Sequence, residues 1–228
     1  MRRSVAVTPS KSAPRRAGKT ARASETRDAI LTAAERLFAE RGVFAVSNRQ
    51  VGEAAGQGNN AVVGYHFGTK ADLVRAIVHR HNVHIEQLCQ RMVAEVEESG
   101  QLRDWVACLV RPSIEHLVAL GNPTWYARFS AQLSSDPGFR DVVSDESLGS
   151  RSVLRVMEGL NASRPELPPR IRIERNAMAR LLIVHTCADR ERALAEDSAA
   201  TASWESTAAG LIDAITGLYL APVTGATA

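Results

Sequence analysis

The chain has 228 residues, 45% apolar and 23% charged, enough for two small helical domains or for one domain with a distinct head. No apolar run approaches the ~18 residues that a bilayer span needs, and no apolar stretch follows the basic first residues as in a secretory signal, so no membrane partner is expected and the expected location is cytoplasmic. The net charge of +3 hides an asymmetry: residues 1–82 hold fourteen basic against six acidic residues, a net +8, and the rest hold fourteen against nineteen, a net −5, which points the front of the chain at a polyanion.

In chain order, residues 1–23 are rich in Arg, Lys, Ser, Thr, Pro and Ala without apolar periodicity and predict a disordered basic arm. Ser24 is expected to cap a first helix, in which Ile30, Ala33, Ala34, Leu37 and Phe38 form one buried stripe and Gly42 is the stop. Ser47 with Gln50 three residues on is a capping box for a second helix, whose apolar face is Val51, Ala54 and Ala55. Gly56-Gln57-Gly58 breaks that helix, and Asn59 or Asn60 caps a short third one ending near Phe67. Thr69 caps a long fourth helix that keeps Leu73, Ile77, His81, Ile85, Leu88, Met92 and Val96 on one face and ends at Ser99-Gly100. Further helices are expected at roughly 101–120, 123–135, 138–161, 169–190 and 202–220, punctuated by Pro and Gly.

Three short helices, with only a few residues including Gly between the second and third, suggest a bundle containing a helix-turn-helix. The third is too polar for core alone: Asn59, Asn60, Gly64, Tyr65 and His66 leave it with a polar face suited to the major groove. Amide side chains at Asn59 and Asn60 can pair bidentately with adenine, and Gly64 lets backbone approach DNA closely. Tyr65, His66 and Lys70 can reach phosphate oxygens, and so can Ser47 at the start of the second helix; Arg49 can meet phosphate or a guanine edge. Ser47 and Thr69 are also caps in their own right, and Lys70 can be merely solvated.

The stretch from Arg27 to Gly42, Ser47 opening the next helix, Ala54-Ala55-Gly56 before the turn, and Tyr65-His66-Phe67 followed by Lys70 and Leu73 together resemble the tetracycline-repressor (TetR) family of transcriptional regulators over residues 24–75. The resemblance implies an all-α fold: a three-helix helix-turn-helix DNA-binding domain at 24–70 and a helical effector-binding and dimerisation domain at 71–222. It implies a homodimer that binds double-stranded DNA at a palindromic operator, acting as a repressor that a small-molecule effector releases. It carries onto Ser47, Arg49, Tyr65, His66 and Lys70. The turn at Gln57-Gly58-Asn59-Asn60 is one residue longer than the family's usual one, which leaves open which asparagine reads bases.

Beyond the fourth helix the reading rests on composition. Trp105, Trp125, Phe129 and neighbouring aromatics cluster with Arg111, His116 and Arg128, the mix of apolar wall and few polar groups that a small-molecule site uses; ordinary core packing explains each aromatic singly. His79, His81 and His84 would need His116, His185 or a cysteine nearby to hold a metal, and no metal or other cofactor is expected. Cys89, Cys108 and Cys187 lie far apart, without a Cys-x-x-Cys pair, and read as buried thiols. Ile173, Ala177, Leu181 and Val184 line one stripe of the penultimate helix, and Trp204, Ala208, Leu211, Ile215 and Leu218 one of the last; two such pairs form a dimer bundle, or a core inside one subunit. No Gly-rich phosphate loop or nucleophile motif marks an enzyme. The alternatives are a nonspecific architectural DNA-binding protein and a small-molecule enzyme.

Overall fold

Helix α1 runs from Pro14 to Arg41 in the computed structural model, which describes residues 14–59, 61–96, 100–139, 150–196 and 203–223. It begins ten residues ahead of Ser24, so Ser24 lies inside the helix and caps nothing. Residues 14–23 are helical, where composition suggested an irregular arm. Proline suits a first helical position, and Arg, Lys and Ala behind it are strong helix formers that need no buried stripe. Residues 1–13 fall outside the described residues.

The helices that follow are α2 (Asn48–Ala54), α3 (Val62–Phe67), α4 (Lys70–Val96), α5 (Leu102–Leu120), α6 (Tyr126–Ser135), α7 (Arg151–Ser163), α8 (Pro169–Ala195) and α9 (Trp204–Leu220). There is no strand among the described residues. The expected helix at 138–161 is divided: residues 137–139 form a helical turn, and α7 starts afresh at Arg151, where the Ser150 hydroxyl accepts the Val153 N–H at 3.1 Å. The Glu86 carboxylate of α4 takes hydrogen bonds from the Ser150 and Ser152 hydroxyls and anchors that start.

Two apolar cores divide the molecule, and α4 belongs to both. The first joins Ile30, Leu31, Ala34, Leu37 and Phe38 of α1 to Val51, Val63 and Phe67 and to Leu73, Val74, Ile77 and Val78 at the start of α4. Phe129 and Leu133 of α6 close it, Phe129 stacking on Phe38 with ring centroids 6.2 Å apart. The second core takes Cys89 and Val93 further along α4 with residues of α5, α7, α8 and α9. There α5 and α7 approach closely: a Cβ at Gly159 would lie 2.2 Å from ring carbons of Trp105. Burial pushes the thiols up, Cys89 to about 12, Cys108 to about 11 and Cys187 to about 12, so all three are buried, protonated and unreactive at neutral pH.

Helix α8 ties its neighbours by their ends. Arg175, Ala179, Ile183, Cys187 and Glu191 recur every four residues and form one buried stripe with an ion at each extremity. Glu191 accepts the Ala127 and Arg128 backbone N–H groups at 3.1 and 3.0 Å, which satisfies free donors at the start of α6, and its carboxylate also pairs with the Arg128 guanidinium at 3.0 Å. Arg175 donates to the Tyr219 and Ala221 carbonyls at 3.0 and 2.7 Å, the unpaired acceptors at the negative end of α9. The predicted stripe of α9 is internal: Ala208, Leu211 and Ile215 are buried in the second core of the chain itself. Its outward face is Gly210, Ala214, Gly217 and Leu220.

Candidate nucleic-acid interface and the joint behind it

The turn from α2 to α3 depends on Gly56, whose φ of +70° suits a residue without Cβ, and the one from α3 to α4 on Gly68 at +74°. Ser47 forms the expected capping box: its hydroxyl accepts the Gln50 N–H at 3.3 Å and its own N–H meets Gln50 Oε1 at 2.8 Å. Thr69 and Asp72 repeat the arrangement at α4, with the Thr69 hydroxyl donating to Asp72 Oδ2 at 2.6 Å and accepting the Asp72 N–H at 3.1 Å. The Thr69 hydroxyl and backbone N–H, both donating to Oδ2, with Arg75 beside them, hold the Asp72 carboxyl below its ordinary range.

Helix α3 is pinned by Val63 and Phe67, both buried, with the Arg27 guanidinium 4.8 Å above the Phe67 ring. Its other side is bare. Tyr65 is 86% exposed, its ring edge-on to the half-buried His66 at 5.2 Å, and a Cβ built at Gly64 meets nothing within 4 Å. Asn59 stands exposed before the helix, and its Oδ1 accepts the Ala61 N–H at 2.9 Å. Ala61, not an asparagine, holds the capping position, and Asn60 lies outside the described residues. Ser47, the cap of α2, and Arg49 within it are exposed, and Arg49 Nε rests on Glu53 at 2.8 Å in a solvent-exposed pair that phosphate can displace.

Lys70 is placed differently from the reading that sends it to phosphate. Its ammonium donates to the Val43 and Val46 carbonyls at 3.1 and 2.7 Å and fastens the start of α4 to the loop between α1 and α2. Lys70→Met is therefore expected to cost about 1–3 kcal/mol of stability in a urea titration, while the salt dependence of DNA binding stays as in the parent.

The aromatic and basic residues expected at an effector site are spread through the body. Trp105 lies in the second core and Phe129 in the first. Trp125 packs against the first core, and Arg128 holds Glu191. Arg111 forms a two-pronged pair with Glu205 at 2.8 and 3.1 Å. His116 sits in a polar layer between the cores, with His81, His84, Glu35, Arg80 and Tyr126 around it. Sequence reading missed this layer: Glu35 occupies a buried position of the α1 stripe, and nothing local marks which helix supplies its partners.

Residues 30–77 match the family described as bacterial regulatory proteins, tetR family. Among solved structures, a TetR-family regulator from Streptomyces coelicolor A3 is similar, with 21% identity and a TM-score of 0.49 over 86% of this chain and 95% of that one. A TetR-family transcriptional regulator from a Rhodococcus species shows 20% identity and a TM-score of 0.48, over 86% of this chain and 99% of that one. No curated protein matches. The matched stretch begins in α1 and ends at Ile77 of α4, taking in both short helices between, so over this head the chain is similar to the tetR family of bacterial regulatory proteins.

Proposed function

We propose that the protein is a repressor: a homodimer that lays its two α3 helices in successive major grooves of a palindromic operator and leaves it when a small-molecule effector binds the body. The observation that carries the reading is the bare side of α3, where Gly64 and Tyr65 face solvent while Val63 and Phe67 hold the helix to the core. Ser47, Arg49, Tyr65 and His66 border that side and are the proposed DNA contacts; Asn59 and Asn60 are the proposed base readers, and Lys70 supports the site from behind. The excess of positive charge in the first 82 residues supplies attraction of any sequence.

A dimer is supported by the outer surface of α8, where Ile173 is 66% exposed and Met178, Leu181 and Leu182 are exposed as well. Beside it, the Gly210, Ala214 and Gly217 side of α9 lets a partner backbone come close: nothing lies within 4 Å of a Cβ built at either glycine. One short helix buries too little surface for useful selectivity, whereas two related by a two-fold axis read half-sites about 34–36 Å apart. No described helix is long and apolar enough to cross a membrane, and the reading places the protein in the cytoplasm with its DNA.

Effector release requires the effector to favour an arrangement of the two heads that no longer matches the grooves. Helix α4 is the rod for this, since it shares the head core at one end and the body core at the other. Genomic fragments selected by the purified protein test the function. A fragment should be bound at least ~10³-fold more tightly than random duplex at equal salt; an isotherm independent of sequence would instead favour an architectural DNA-binding protein.

A further inference from the structure

Between the two cores, where α1, α4, α5 and α6 meet, titratable side chains form an unbroken hydrogen-bonded row. His84 Nδ1 lies 2.9 Å from His116 Nδ1, His116 Nε2 lies 2.8 Å from His81 Nδ1, and His81 Nε2 lies 2.8 Å from Glu35 Oε2. Glu35, His81 and His116 are each only 4% exposed. Arg80 of α4 pairs with the same Glu35 oxygen and donates to Thr32 at 3.1 Å, which ties α4 to α1 a second time. From α6, Tyr126 stacks on His81 at 3.8 Å and meets the edge of His116 at 5.6 Å. The outer imidazole, His84, is half-buried and lines a surface cavity of about 490 Å³ with Gln87, Gln90 and Arg91.

The row is not arranged for a metal ion. His116 turns its two nitrogens to opposite partners, so no single point is reached by three donors, and among the described residues no group of three His, Cys, Asp or Glu is placed to hold a metal. The row does fix its protons. An ionised Glu35 can only accept, so His81 carries its hydrogen on Nε2 and accepts on Nδ1. His116 must then donate from Nε2 and accept on Nδ1, and His84 must donate from Nδ1. That leaves a lone pair on Nε2 of His84, the member of the row that lines the cavity.

A second arrangement keeps every hydrogen bond within the row. One proton is taken up at His84 Nε2. The Nδ1 proton of His84 passes to His116 Nδ1, the Nε2 proton of His116 passes to His81 Nδ1, and the Nε2 proton of His81 passes to Glu35. All three imidazoles are neutral before and after, and the net change is a neutral carboxylic acid at Glu35. Burial, with repulsion from His81 and His84, lowers His116 to about 4, so the added proton does not rest on the middle ring.

We propose that this row is a proton link between body and head, and that the proton is an effector of the protein: uptake at His84 neutralises Glu35, dissolves its ion pair with Arg80, and loosens α1 from α4. The Glu35 carboxylate pairs with Arg80 and His81 of α4, so this tie is present at higher pH and lost as pH falls. A head no longer held at one angle spends less time in the DNA-competent arrangement, and apparent affinity falls in proportion. The effect on DNA rests on the proposed function; the proton arrangement itself does not.

Nitrogen-15 NMR of the full-length protein tests the row without DNA. At pH 8, hydrogens are expected on His84 Nδ1, His116 Nε2 and His81 Nε2; at pH 6 they should stand on His84 Nε2, His116 Nδ1 and His81 Nδ1, with Glu35 protonated. Unchanged tautomers, or an imidazolium at His81 or His116, would overturn the proposal. On a duplex selected from genomic fragments, the parent should lose about tenfold in affinity between pH 8 and pH 6, a tenfold change being about 1.4 kcal/mol. His84→Gln, altered at the rim, should keep the high affinity at both pH values, and Glu35→Gln should show the low one at both. Identical pH responses in the three would refute the link. If no duplex is bound at either pH, the regulatory function fails while the tautomers still decide the row.

Discussion

Glu191→Ala is expected to destabilise the protein by about 3–5 kcal/mol, a large share of what holds a domain of this size. The carboxylate is 1% exposed and carries three bonds at once, to the Ala127 and Arg128 N–H groups and to the Arg128 guanidinium. Without it, the Arg128 charge is left in a site where its side chain is only 15% exposed, and the first turn of α6 loses the acceptor for two backbone donors. Helix α6 in turn carries Phe129 and Leu133 into the head core, so damage at Glu191 reaches the DNA-binding end. Urea unfolding followed by circular dichroism measures the loss. Glu191→Gln, which keeps the shape and one acceptor oxygen, should recover part of it; a loss below ~1 kcal/mol for the alanine variant would show that the pair contributes little.

Leu181→Arg is expected to leave the subunit folded and to abolish its self-association. Leu181 is 40% exposed, so the substitution removes little from the subunit core, yet it puts a charge into the middle of the exposed apolar strip formed by Ile173, Ala177, Met178 and Leu182. Across a two-fold axis the same residue enters the interface twice, and two like charges meet or lie close. Sedimentation at micromolar concentration should turn from dimer to monomer. Affinity for a selected palindromic duplex should fall by about 100-fold or more, because each half-site must then be held by one head alone. An unchanged dimer would place the interface elsewhere.

Local chemistry made much of the head legible. Ser47 with Gln50, Thr69 at the start of α4, the glycines of the turn and the three- and four-residue spacing of α1 each act within one or two turns of helix, and each stands where the sequence put it. The start of α1 was not legible, because a run of Arg, Lys and Ala can be helix or arm with no apolar stripe to choose between them. What depended on distant partners was also hidden. Lys70 looks like a surface cation, and only the fold brings the Val43 and Val46 carbonyls to it. The α9 stripe has the same spacing whether it faces its own core or a second subunit, and here it faces its own. The histidines of α4 and α5 invite a metal reading until His116 is seen to point its nitrogens in opposite directions. Burial of Glu35 between them is a property of the assembled joint rather than of any one helix.

The central claim, that the bare side of α3 lies in a groove of DNA, is tested most directly by Gly64→Leu. The added side chain meets no atom of the free protein within 4 Å of its Cβ, and leucine favours helix over glycine, so stability should be kept or rise by up to ~1 kcal/mol. The same side chain would collide with base edges or sugar. Fluorescence anisotropy with a selected operator duplex should therefore show at least ~100-fold weaker binding by a protein as stable as the parent or more so. Binding with unchanged affinity by a folded, dimeric Gly64→Leu protein would contradict the account, because it would leave α3 out of the groove.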